Sequence, residues 1–157
     1  MEETQTTFYR ADNGLVYVLD VNGLTAKIIN SPNAAGDLVI PTSVNYKDKD
    51  YKVTVIGDGA FKDNDKVKTV KFNQDSQLHA IEKDSFPGCT LESIVFPASL
   101  TRIGENAFVN CKNLKTVEFA AGSQLVALGK NVFPAELLPK ITIPNDVKPD
   151  TIAANLF

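Results

Sequence analysis

The chain has 157 residues, 43% hydrophobic and 22% charged, with nine glycines and eight prolines. That composition describes one ordinary folded domain with a hydrophobic core and excludes a disordered or collagen-like chain. A net charge of −3 and a pI near 5.1 leave no basic excess to neutralise phosphates, so a nucleic-acid partner is not expected.

The start, Met1-Glu2-Glu3-Thr4-Gln5, is polar and acidic, and no apolar run approaches the roughly 18 residues of a membrane-crossing helix. No transmembrane segment is expected. The chain then reads either as cytosolic or as a mature exported protein whose leader was removed, Met1 being an added start. Residues 1–7 are read as a disordered or added beginning.

Residues 8–37 read as an N-terminal β-hairpin cap. Segments 15–19 (LVYVL) and 25–29 (TAKII) flank Asp20-Val21-Asn22-Gly23-Leu24, a hairpin pattern around an Asn-Gly turn. The cap is expected to cover the first repeat, because an open stack exposes apolar surface and unpaired strand edges.

Residues 38–157 repeat. The first strand is read at Leu38-Val39-Ile40-Pro41, and the charged insertion 45–52 as a hairpin tip. Four segments, 53–61, 78–86, 100–108 and 125–133, align without gaps as apolar-x-x-apolar-x-x-[Gly/Asp/Asn]-small-Phe, Val132 being the one larger residue at the small position. Their phenylalanines, at 61, 86, 108 and 133, lie 25, 22 and 25 residues apart. A second motif follows each Phe: Val67-x-x-Val70-x-Phe72, Leu91-x-x-Ile94-x-Phe96, Leu114-x-x-Val117-x-Phe119 and Leu138-x-x-Ile141-x-Ile143.

The alternating end of this second motif, closed by Pro97 and Pro144 in two copies, predicts a short strand per repeat, stacked in parallel. Such a unit cannot bury its Phe and Leu alone, so stacking must supply the core. Gly59, Asp84, Asn106 and Asn131 stand two residues before each Phe, where capping or left-handed residues are preferred, and predict a brief helical turn. Residues 152–157 repeat the pattern imperfectly and stop on Phe157, as a cap or as the cut end of a longer array. The fold expected is an α/β repeat solenoid.

Residues flanking the buried Val or Ile of each strand should point outward on one face: Asp37 and Val39, Thr69 and Lys71, Ser93 and Val95, Thr116 and Glu118, Lys140 and Thr142. This small polar and charged ladder is the candidate binding face; a merely solvated face is the competing reading. It carries no large aromatic residue and the chain has no Trp, which weakens a sugar-stacking reading.

Cys89 and Cys111 each stand three residues after their Phe, where Asn64 and Glu136 stand in the outer repeats, and should therefore stack over one another. Parallel Cβ vectors one strand apart hold the β-carbons farther apart than a disulfide prefers, so buried reduced thiols are expected. Two Cys, a single His79 and no CxxC do not assemble a metal site. His79 reads as a surface residue, without a nucleophile motif or a phosphate-cradling Gly loop beside it. The pairs Glu2-Glu3 and Asp63 with Asp65, and the lysines at 47, 49, 52, 62, 66, 68 and 71 diluted by Asp48 and Asp50, read as solvated surface. Neither catalytic residues nor a cofactor are expected.

The stretches IPTSVNYKDKDYKVTVIGDGAF and LESIVFPASLTRIGENAFVNCKNLKTVEF resemble the BspA-like leucine-rich repeat proteins of bacterial cell surfaces, the resemblance running over residues 8–157. It implies a curved right-handed solenoid with a parallel sheet on the concave side and short helical turns or irregular structure on the convex side. It also implies export and adhesion to proteins or glycans of host or neighbouring cells. The expected function is thus a non-catalytic, extracellular or cell-surface interaction module, monomeric, with a structural spacer, a self-assembling surface-layer element or the targeting domain of a longer enzyme as alternatives. Four full repeats are few for such a family, giving a face about 20 to 25 Å long at roughly 4.8 Å per strand.

Overall fold

A computed structural model of the chain describes residues 5–148. It opens with β1 (Thr6–Arg10), β2 (Val16–Asp20) and β3 (Thr25–Ile29), an antiparallel meander in which β2 is central. The β2–β3 hairpin is present, but its turn differs from the expected Asn-Gly turn. Asp20 Oδ1 accepts the backbone N–H groups of Asn22 and Gly23 at 3.1 and 2.9 Å, and Leu24, not glycine, takes the left-handed conformation at φ 55°. β1 begins inside the stretch read as a disordered or added start, where Thr-Thr-Phe-Tyr-Arg alternates outward and inward and Tyr9 stacks on the buried Tyr17 at 6.1 Å.

Beyond the meander, β4 (Gly36–Ile40) begins the first coil. β5 (Ser43–Tyr46) and β6 (Lys49–Ile56) form the hairpin expected from the charged insertion, turning on Lys47 and Asp48, both left-handed. The later coils contribute β7 (Val67–Phe72) with β8 (Ala80–Ile81), β9 (Ser93–Phe96) with β10 (Arg102–Ile103), and β11 (Thr116–Phe119) with β12 (Ala127–Leu128). The strands β3, β6, β8, β10 and β12 stack in parallel order and continue the meander into the repeats. This short second ladder is carried by the second apolar residue of the nine-residue motif: Ile56, Ile81, Ile103 and Leu128, each at most 1% exposed.

The Phe segments form the third side of each coil. Phe61 N–H donates to Ser85 O at 2.8 Å, Phe86 N–H to Ala107 O at 2.7 Å and Phe108 N–H to Val132 O at 2.9 Å. Their rings stack in one column at centroid distances of 4.5, 5.1 and 5.8 Å. The residues two before each Phe, Gly59, Asp84, Asn106 and Asn131, all have φ between 54° and 66°. The expected left-handed position is therefore present at each of them. A single hydrogen-bonded turn stands after it, as in Lys62 N–H to Gly59 O and Val109 N–H to Asn106 O, and in two copies a second left-handed residue four positions on, Gly88 at φ 68° and Asn110 at φ 60°, turns the chain before a helix can propagate. Coils approach so closely here that a Cβ on Gly129 would lie 2.5 Å from Glu105 N.

Candidate functional site

Strands β4, β7, β9 and β11 carry the predicted ladder. Their inward residues Leu38, Val70, Ile94 and Val117 are buried, and the alternation of the pleat turns the flanking residues outward. Asp37, Val39, Thr69, Lys71, Ser93, Val95, Thr116 and Glu118 are all exposed. Pairing sets them in two rows: Asp37 beside Thr69 and Ser93 beside Thr116 in one, Val39 beside Lys71 and Val95 beside Glu118 in the other. Thr69 Oγ1 donates to Asp37 Oδ1 at 2.9 Å, tying the first row across its strands.

Lys140 and Thr142 are not on a strand. The fifth strand expected over Leu138 to Ile143 is replaced by a 3-10 helix, Ala135–Lys140, and an unpaired extended segment. In register, Pro139 occupies the place of Lys115, whose N–H donates to Glu92 O at 2.8 Å; proline has no N–H to make that bond. Lys140 and Thr142 nevertheless line a surface hollow with Thr116 and Glu118, so they border the face without extending its ladder.

The sheet is not uniform. β4 pairs with β7 and β9 with β11, but no ladder joins β7 to β9, although the second ladder and the Phe segments bond the same coils throughout. The corners that lead into these strands differ in the same places. Before β4 and β7, Asn64 Nδ2 donates to Ser31 O and Ala34 O at 2.8 and 2.7 Å, while its Oδ1 accepts Lys66 N–H and Val67 N–H. Before β9 and β11, Gly88 N–H bonds Val109 O and Cys89 is disulfide-bonded to Cys111. Between these two corners, Thr90 Oγ1 to Val67 O at 3.1 Å stands where a ladder would start.

The disulfide corrects the expectation of reduced thiols. The two cysteines do stack over one another, but neither belongs to a strand, so their Cβ vectors are not held parallel and the Cα atoms approach to 4.6 Å. Cys111 is fully buried.

Other titratable groups are not gathered into a site. His79 is exposed beside β8; partial burial and the nearby Arg102 hold its pKa below the ordinary value, with Glu82 opposing. Among the described residues, no group of three or more His, Cys, Asp or Glu side chains is placed to hold a metal ion. No helix among them is long and apolar enough to cross a membrane.

Parallel coils of 22 to 25 residues, stacked on one Phe column with a strand face on one side, define a leucine-rich-repeat-type solenoid. The BspA type leucine rich repeat region matches residues 42–157 in six copies, and the chain belongs to that family. Among solved structures, the pneumococcal vaccine antigen PcpA is similar at 24% identity and a TM-score of 0.56, over 81% of this chain and 41% of that one. A leucine rich cell surface protein from Faecalibacterium prausnitzii A2-165 is 22% identical over 90% of this chain and 30% of its own, with a TM-score of 0.45. A leucine-rich repeat protein from Bacteroides capillosus is 17% identical over 91% and 98% of the two chains, with a TM-score of 0.46. No curated protein matches the chain. This chain thus spans well under half of the pneumococcal structure it resembles. The imperfect repeat at 152–157 lies outside the described residues.

Proposed function

We propose that the chain is a non-catalytic binding module of an exported or cell-surface protein, contacting a protein on a host or neighbouring cell through the face formed by β4, β7, β9 and β11. The observation that carries this reading is the pair of outward rows. They present Asp37, Lys71 and Glu118 among hydroxyls, together with Val39 and Val95, which are 46% and 51% exposed. Apolar residues left in solvent beside fixed charges suit a partner surface better than a purely solvated sheet.

The Cys89–Cys111 bridge supports export, since disulfides persist in oxidising compartments and are rare in the cytosol. Membership of a family known for bacterial surface proteins points the same way. A protein is favoured over a glycan because the face offers no exposed aromatic ring: Phe96 is fully buried and Phe72 half-buried.

The test is a panel of immobilised matrix and cell-surface proteins, probed with the chain and with Asp37→Lys/Glu118→Lys. Loss of about tenfold or more in affinity is expected if two rim-to-centre charge contacts are reversed. Unaltered binding would reject the face as the contact surface.

A further inference from the structure

The break in the strand face is a built groove. Thr69, Lys71 and Phe72 line one side, Ser93, Val95 and Phe96 the other, and the hollow has a volume of about 570 Å³. The corners leading into its two walls are tied away from each other, Asn64 to the preceding coil and Cys89 to the following one, while β7 and β9 share no ladder. The strand edges that face each other across it therefore carry main-chain groups that no ladder bond uses.

We propose that this groove seats an extended acidic peptide of a protein partner, one apolar side chain packing beside Val95 and a carboxylate two residues away, on the same side of the peptide, pairing with Lys71. The proposal rests on the reading of the strand face as a binding surface. Lys71 is the one charged residue among those lining the groove, and no ion pair engages it among the described residues. Val95, half exposed, supplies the apolar wall.

The register sets which wall a carboxylate meets. Glu118 stands beside Val95 on the far side from Lys71, so a carboxylate is attracted to the β7 wall and repelled from the β11 side. Ser93 adds a hydroxyl two residues back along β9, while that of Thr69 already donates to Asp37. An extended peptide suits the groove as a chain lying over the seam, with alternate side chains turned onto the outward row.

The experiment is an NMR titration of the isotope-labelled chain with two capped tetrapeptides, Ala-Glu-Ala-Leu and Ala-Lys-Ala-Leu, in which the charge and the leucine share one face of the extended chain. The glutamate peptide is expected to shift the amides of residues 69–72 and 93–96 and to bind the more tightly. Lys71→Glu should weaken it by about two- to fivefold and reverse the preference, as a single exposed charge pair allows. Val95→Arg, with its spectrum confirming the fold, should abolish the shifts. Absence of shifts in the unaltered chain, shifts elsewhere, or a preference unchanged by Lys71→Glu each overturns the proposal. Protein-panel binding lost in Asp37→Lys/Glu118→Lys but unchanged in Lys71→Glu leaves the face standing and removes the groove.

Discussion

Phe86 and Phe108 stack at 5.1 Å with their ring planes 7° apart, both buried to within 2%. Phe108 also meets Phe133 at 5.8 Å and the edge of Phe96 at 5.6 Å, so its ring is held from three sides. Phe108→Ala leaves a cavity that the bonded backbone on either side cannot collapse into. A loss of about 3 to 5 kcal/mol is expected in urea unfolding monitored by circular dichroism.

Asn106 holds φ 58° while its N–H donates to Lys130 O at 3.0 Å. Glycine takes that conformation freely, so Asn106→Gly should change stability by only a few tenths of a kcal/mol, roughly. A β-branched residue cannot, and Asn106→Val should cost about 1 to 3 kcal/mol. Comparing the two variants' unfolding midpoints separates backbone strain from loss of the side chain.

The bridge between Cys89 and Cys111 closes a loop of sequence separation 22. Replacing both cysteines by serine should lower stability by about 3 kcal/mol, the value that loop closure of this length gives. Thiol titration of the unfolded, unreduced chain should find no free thiol; finding two would show that the bridge does not form.

His79 gives a pH signature. Partial burial and Arg102 lower its folded pKa below the unfolded value, so the folded state favours the neutral ring. Its contribution is fully present above the unfolded pKa, near 6.5, and is lost as pH falls through the lowered folded value. The melting temperature of the unaltered chain should therefore drop more between pH 7.5 and pH 5 than that of His79→Gln. Parallel curves would show that the ring titrates alike in both states.

The repeat is legible in the sequence because its residues answer one need each. Phe61, Phe86, Phe108 and Phe133 fill the column, and Gly59, Asp84, Asn106 and Asn131 reverse the chain beside it. Eight of the ten ladder residues follow from alternation alone. Alternation misplaces Lys140 and Thr142 because the apolar spacing of Leu138, Ile141 and Ile143 is right for a strand, and only the N–H missing at Pro139 argues otherwise. The disulfide is obscured when turn positions are treated as strand positions. The groove is invisible for a different reason: nearly even spacing of the Val and Ile residues suggests one continuous sheet, whereas pairing depends on the side chains at the corners. Asn64 in one coil and the cysteines in the next hold different chemistry at one repeat position, and the break in pairing falls where that chemistry changes.

The unlaced seam also shapes the mechanics of the molecule. The Phe segments and the second ladder are closed along their whole length, while β7 and β9 are not joined. Bending thus has a natural fold line, with the closed sides acting as a spine and the strand pairs β4–β7 and β9–β11 as two stiff leaves. One leaf is pinned by an amide and the other by a covalent bond, so only the second keeps its corner when hydrogen bonds are broken.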